Sequence, residues 1–243
     1  MKRHLSALML ALRSTIYRAA ALAILAGAAQ AALFLFAARR LQGEAAPGLE
    51  EVFAASFAPQ GCAVFFLLLC ALLCFTGCNA LGSRPGYTMQ RLRVTERQAA
   101  AWAALGNAIC FFLFWAAQLL TALLLCRLYL SSSEPALRGQ TVFLAFSRVP
   151  FLHSLLPLRD LGRAARDLAL LVGLAITTAC FPLRQRHGER RLEPLALAAV
   201  TAVAFAQPMG KFSSDLLLSL IALALGGSAL FSLWKEVLDE EQA

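Results

Sequence analysis

Residues 61–81, GCAVFFLLLCALLCFTGCNAL, carry no charged side chain. A bilayer's hydrocarbon core is about 30 Å thick and takes roughly 20 apolar residues of helix to cross. Only a helix, or a closed barrel, satisfies its own backbone hydrogen bonds there. Residues 19–38, AAALAILAGAAQAALFLFAA, meet the same requirement. The run at 99–126 is longer than needed, which implies tilt or extension past the membrane. Residues 168–183 and 195–209 are shorter but uncharged, and 216–234 ends beside Lys235 on Trp234, an aromatic and cationic interface anchor. Composition agrees. Of the 243 residues, 60% are hydrophobic and 15% charged, against about 25% charged in soluble domains. The mean hydropathy is +0.68. The sequence therefore predicts an all-α, polytopic membrane protein with six transmembrane helices. These form a single transmembrane domain over residues 1–243.

The arginines set the expected orientation. Lys2, Arg3, Arg13 and Arg18 precede the first span, and Arg84, Arg91, Arg93 and Arg97 lie between the second and third. A further basic loop occupies 184–194. An even number of spans with both termini cytoplasmic puts these short basic segments inside. Within 1–18, Leu5, Leu8, Met9, Leu12 and Ile16 follow helical spacing opposite Arg3, Ser6, Arg13, Ser14 and Tyr17. That pattern predicts an amphipathic helix on the membrane surface, with Arg3, Arg13 and Arg18 toward head groups. The apolar run after it exceeds the roughly 7–15 residues of a signal-peptide core, so it is expected to be retained as a span. The net charge of +8 fits lipid phosphates and topology. No nucleic-acid recognition signature accompanies it, and no nucleic-acid partner is expected.

Residues 127–167 would lie outside. Their apolar part, 141–158, is interrupted by Arg148, Pro150 and Pro157. A central arginine costs about 2.5–3.5 kcal/mol on insertion scales, and proline breaks a straight helix. A piece lying at the outer interface, or dipping into it, is expected. It is followed by an interfacial helix at 159–168. That helix would place Leu158, Leu161, Ala165 and Leu168 on one face, and Arg163 and Asp167 can pair at i,i+4 on the other.

Catalytic signatures are absent. There is no GxxxxGK[ST] phosphate loop, no HExxH, no GxSxG and no GxGxxG. The chain should neither hydrolyse ATP by itself nor act as an enzyme. The seven cysteines contain no CxxC pair. Cys70, Cys74 and Cys78 share a helix face as packing residues, and no metal or cofactor is expected. His4, His153 and His187 are scattered and read as interfacial or loop residues. The polar residues within spans are mild: Gln30, Asn79, Asn107, Gln118, Thr121, Thr177, Thr178, Thr201 and Gln207. Hydrogen bonding between helices accounts for them, with Gln30, Asn107 and Gln118 the main candidates. Gly27 and Ala31 form a small-xxx-small pair suited to close packing.

The stretch RPGYTMQRLRVTERQ, residues 84–98, stands apart. Pro85-Gly86 is a turn signal, and Thr95 and Gln98 have the spacing of a capping box opening the third span. Between them, Tyr87, Met89, Leu92 and Val94 alternate with Arg91 and Arg93 as a short basic helix along the membrane. A basic surface helix at the N-terminus, six spans with both ends inside, and this loop together resemble the permease subunits of type-2 ABC transporters. The resemblance is architectural and covers most of the chain. It implies a membrane permease working as a homodimer or with a sister permease. A separate ATPase subunit would dock on Tyr87, Arg91, Leu92, Arg93, Glu96 and Arg97. Described exporters of that family carry re-entrant helices between spans five and six, whereas here that link is only AQPMGKFSSD, residues 206–215. A scaffold or assembly factor binding partners through the same faces is the other reading.

Overall fold

The computed structural model describes residues 2–41, 48–76, 95–132, 141–157, 160–186, 192–206 and 212–242. Among these residues all regular structure is helical. The helices are α1 (Lys2–Leu41), α2 (Leu49–Ala55), α3 (Ala58–Thr76), α4 (Glu96–Ser132), α5 (Thr141–Arg148), α6 (Pro150–Leu155), α7 (Leu161–Arg186), α8 (Glu193–Ala206) and α9 (Phe212–Gln242).

Five helices are long and apolar enough to cross a membrane: α1 over Thr15–Leu41, α3 over Ala58–Thr76, α4 over Arg97–Ser131, α7 over Leu161–Gln185 and α9 over Phe212–Ser232. Of the six expected spans, the one at 195–209 falls on α8. That helix is apolar but only 14 residues long, about 21 Å at 1.5 Å per residue. The outside of the bundle is apolar. Ile24, Phe36, Val64, Phe75, Phe112, Leu217 and Phe231 are all more than half exposed. Such a surface suits hydrocarbon and is unlike that of a water-soluble globule.

Side-chain partners fix the helix directions. Thr15 meets Cys110, and Gln30 meets Gln118, so α1 and α4 run parallel. Gly61 lies against Leu33, while Leu69 and Leu73 pack with Ala19 and Ala23, so α3 runs antiparallel to α1. Arg166 pairs with Asp215, and Arg184 caps Ser228 and Ala229, so α7 and α9 run parallel. Asn107 bonds Thr178, and Ala100 packs with Cys180 and Ala229, which sets α7 and α9 antiparallel to α4. The starts of α1 and α4 and the ends of α3, α7 and α9 therefore share one end of the bundle, the near end. The finish of α1 and the starts of α3, α7 and α9 share the far end.

Small residues bring the helices close. A Cβ added at Gly27 would lie 2.9 Å from the Thr121 hydroxyl, which accounts for the small pair in α1. One added at Gly173 would lie 2.8 Å from the backbone oxygen of Ala222, and Gly226 faces Gly173 across the same contact. The backbones of α7 and α9 thus approach each other directly.

Two helices are longer than expected. First, α1 is unbroken from Lys2 to Leu41. Residues 2–14 and the span belong to one helix, which continues past its apolar window. Second, the interfacial helix expected at 159–168 is the opening of α7 and continues into the span. Leu161 is 85% and Leu168 58% exposed on one face, whereas Arg163, Arg166 and Asp167 are buried on the other. Where the surroundings are hydrocarbon, the apolar stripe can face outward and the charges find partners inside.

The segment at 141–158 forms α5 and α6. Together with α2 they make a cluster at the far end around Phe34, Val52, Phe53, Phe146 and Leu152. Pro150 opens α6 at a first-turn position, where its missing N–H costs nothing. Arg148 is largely exposed and lies 3.6 Å from Glu50 of α2. His153, expected at an interface, is buried, with Nδ1 3.3 Å from the Phe146 carbonyl oxygen. Phe57, between α2 and α3, has a φ of 51°, the left-handed region that a bulky residue seldom occupies.

Candidate functional site

Two polar assemblies and a cavity occupy the interior. The first assembly joins residues singled out in the sequence. The Gln30 amide nitrogen donates to Gln118 Oε1 across α1 and α4, and both side chains are buried. The Asn107 amide nitrogen donates to the Thr178 hydroxyl at 3.0 Å, tying α4 to α7. Thr121, Thr177, Thr178 and Thr201 each donate to a carbonyl one turn back on their own helix. Gln30, Asn107 and Gln118 are therefore interhelical bridges. Asn79 and Gln207 lie outside the described residues.

The second assembly was missed from sequence. Arg166 is 1% exposed, and one terminal nitrogen donates to Asp215 of α9 at 2.7 Å. Its Nε and the other terminal nitrogen donate to Asp167 at 2.9 and 2.6 Å. Arg163 is fully buried one turn away. Arg163 and Arg166 against Asp167 and Asp215 sum to zero charge, which lets the group stay ionised away from water. At the near end Arg184 plays a similar part. It pairs with Glu193 of α8 at 2.6 Å and donates to the Ser232 hydroxyl and to the carbonyls of Ser228 and Ala229. The tight α7–α9 contact is thus clasped at both ends by arginine. The only sequence signal was local, the i,i+4 spacing of Arg163 and Asp167. The partner Asp215 lies 49 residues from Arg166, beyond any local pattern.

The cavity lies among α3, α4, α6, α7 and α8 and measures about 170 Å³. Phe66, Phe111, Phe114, Trp115, Phe151 and Phe205 line it, with Gln60, Cys62, Gln118 and Thr201 as its polar residues. Gln118 therefore belongs both to the interhelical bridge and to the cavity wall.

No protein-family model, curated protein or solved structure matches the chain.

The expected docking loop falls mostly outside the described residues: Tyr87, Arg91, Leu92 and Arg93 belong to the undescribed stretch 77–94. That stretch joins the near end of α3 to the near end of α4. Thr95 precedes α4, and its hydroxyl accepts the Gln98 N–H at 3.4 Å, one arm of the expected capping box. Glu96 and Arg97 open α4, with Arg97 half-buried. Arg13 and Arg18 are exposed on α1, and the Arg3 side chain lies outside the described ones. Of the cysteine stripe, Cys70 is buried and Cys74 half-buried, with Cys78 undescribed. Among the described residues no group of His, Cys, Asp and Glu could hold a metal.

Proposed function

We propose that the chain is the membrane permease subunit of an ABC-type transporter, acting as a homodimer or beside a sister permease. A separate ATPase subunit powers it. The reading takes α8 as a short sixth span, with both termini in the cytoplasm and the chain in the cell membrane as a multi-pass protein. One observation carries it: the extension of α1 beyond its apolar window, the end of α9, the end of α3 and the start of α4 all fall at the near end, with the 77–94 sequence linking the last two. Two of these segments are basic, with Lys2, Arg3, Arg13 and Arg18 in one and Arg84, Arg91, Arg93 and Arg97 in the other.

A motor without a membrane domain needs rigid handles that continue into spans, and α1 and α4 are continuous rods. Arg91, Arg93, Glu96 and Arg97 make polar contacts with the ATPase, while Tyr87 and Leu92 fill a groove on it. Closure of an ATPase pair then tilts α1 and α4 together, because Gln30 and Gln118 bind them to each other. Access to the membrane interior alternates between the two sides.

Co-purification with the candidate ATPase tests the reading. Replacing Arg91 and Arg93 with Glu abolishes ATPase recovery while membrane insertion is retained. Undiminished recovery refutes the docking. Binding without any stimulation of ATP hydrolysis assigns the chain to the scaffold class instead.

A further inference from the structure

Two helices leave the near end of the bundle with opposite charge. α1 runs past its apolar window through residues 2–14, and α9 through 233–242. Lys2, Arg3 and Arg13 give the first extension +3 with no acid. Lys235 against Glu236, Asp239, Glu240 and Glu241 gives the second 1 − 4 = −3. Topology accounts for the basic extension, because Lys and Arg hold short segments inside. It does not account for the acidic one, since Asp and Glu contribute little to orientation.

Within one copy the two extensions stand apart. α1, α4, α7 and α9 pack in that order, so α4 and α7 lie between them. α3 and α8, which touch each other, cover one side of this row. Each member of the row keeps an exposed apolar stripe, with Ile24 on α1, Phe112 on α4, Leu168 on α7 and Leu220 on α9. A two-fold axis along the membrane normal, beside α4 and α7, sets α1 of each copy against α9 of the other. The contact is then made twice, as an isologous interface requires. α1 starts at the near end and α9 finishes there, so the two lie antiparallel. Their extensions run side by side for about 15 Å at 1.5 Å per residue, basic against acidic.

We infer that α9 of one copy docks on α1 of a second copy, the acidic extension of each against the basic extension of the other. This gives the homodimer of the permease reading its interface and rests on that part of it. Pairing requires no ATPase.

The full chain in lipid vesicles, labelled with donor or acceptor dye in separate batches, reports dimerisation by energy transfer as lipid is added. Glu236→Lys with Glu240→Lys gives both extensions positive charge and weakens the dimer about tenfold, the worth of several solvated ion pairs. Arg3→Glu with Arg13→Glu gives both negative charge and does the same. Mixed, the two variants pair with each other about tenfold better than either does with itself, because both contacts then join opposite charges. Should the arginine variant fail to insert, disulfide trapping supplies an independent measurement. Ala21 and Gly227 are exposed, six and five residues inside the near-end limits of their apolar windows at Thr15 and Ser232. A Cβ at Gly227 meets nothing within 4 Å. Ala21→Cys with Gly227→Cys yields a linked dimer on oxidation beyond that of the parent, and neither substitution alone does.

A monomer at every dilution, or a dimer that neither charge variant weakens, overturns the pairing. A linked dimer from Gly227→Cys alone sets α9 against α9 and overturns it too, while a homodimeric permease still stands. Failure to recover the ATPase with the α1–α9 disulfide formed refutes the permease reading alone and upholds the interface.

Discussion

Removing Asp215 tests whether the buried charges hold α7 against α9. Arg166 and Asp215 meet at 2.7 Å with side chains 1% and 5% exposed, so neither is screened by solvent. Asp215→Ala leaves Arg166 its bonds to Asp167 but changes the local charge from zero to +1. Losing one charge-assisted hydrogen bond costs about 1.5–3 kcal/mol, and an uncompensated buried charge costs about 3–5 kcal/mol. The two ranges meet near 3 kcal/mol, the expected loss. Arg166→Met leaves two carboxylates facing each other and costs about 3–5 kcal/mol. The double variant Arg166→Met, Asp215→Leu leaves Arg163 with Asp167, neutral again, and recovers much of the loss. The coupling energy is then about 2–3 kcal/mol. Reversible unfolding by sodium dodecyl sulfate in mixed micelles, followed by tryptophan fluorescence, measures all four proteins. Thiol labelling is a second probe, because Cys70, Cys110, Cys126 and Cys180 are buried and become reactive on unfolding. Single variants within about 0.5 kcal/mol of the parent, with additive effects in the double, would show that the cluster is not a clasp.

Three further outcomes are expected from the same titration. Gly173→Ala places a Cβ 2.8 Å from the Ala222 carbonyl oxygen and destabilises by about 1–3 kcal/mol. Gly227→Ala, with nothing within 4 Å, stabilises α9 by up to about 1 kcal/mol; equal effects at the two glycines would refute the close approach. Phe57→Gly relieves the left-handed backbone and raises stability by about 0.5–1 kcal/mol, since the side chain is 64% exposed and little packing is lost; a loss instead shows that this ring is seated on something. Gln30→Leu alone strands a buried amide and costs about 1–3 kcal/mol. Gln30→Leu with Gln118→Leu comes close to neutral, and additive losses would refute the pairing.

The membrane-spanning helices were legible because bilayer thickness sets a length that chemistry cannot evade, and an uncharged run such as 61–81 has little else to become. The Thr95 cap and the close-packing pair at Gly27 were legible for similar reasons, being local and short. At the opening of α7 the stripe of Leu161, Ala165 and Leu168 was legible as one face, but not that the charges opposite it are buried against α9. In hydrocarbon the same stripe faces out, and a helical wheel alone does not say which solvent surrounds it. The Arg166–Asp215 pair was invisible because its members are far apart in sequence and each looks like a span boundary. Gln30 and Gln118 were marked as polar residues within spans, but their pairing, and the cavity beside Gln118, depend on how α1 and α4 lie together. Tyr87, Arg91, Leu92 and Arg93 lie outside the described residues, so the docking proposal there rests on the sequence.

The parallel pairing of α7 with α9 has a consequence for biosynthesis. During translation α7 leaves the ribosome with Arg163 and Arg166 already in its first turns and only Asp167 to answer them. The second carboxylate follows 49 residues behind Arg166, on a helix separated from it by α8. Arginines near the end of a span snorkel toward the interface, so their cost to insertion is smaller than at the centre but not nil. The full set of partners for Arg166 is therefore complete only once α9 has been made and Asp215 is in place. A chain truncated before residue 215 leaves α7 the least securely inserted of its spans.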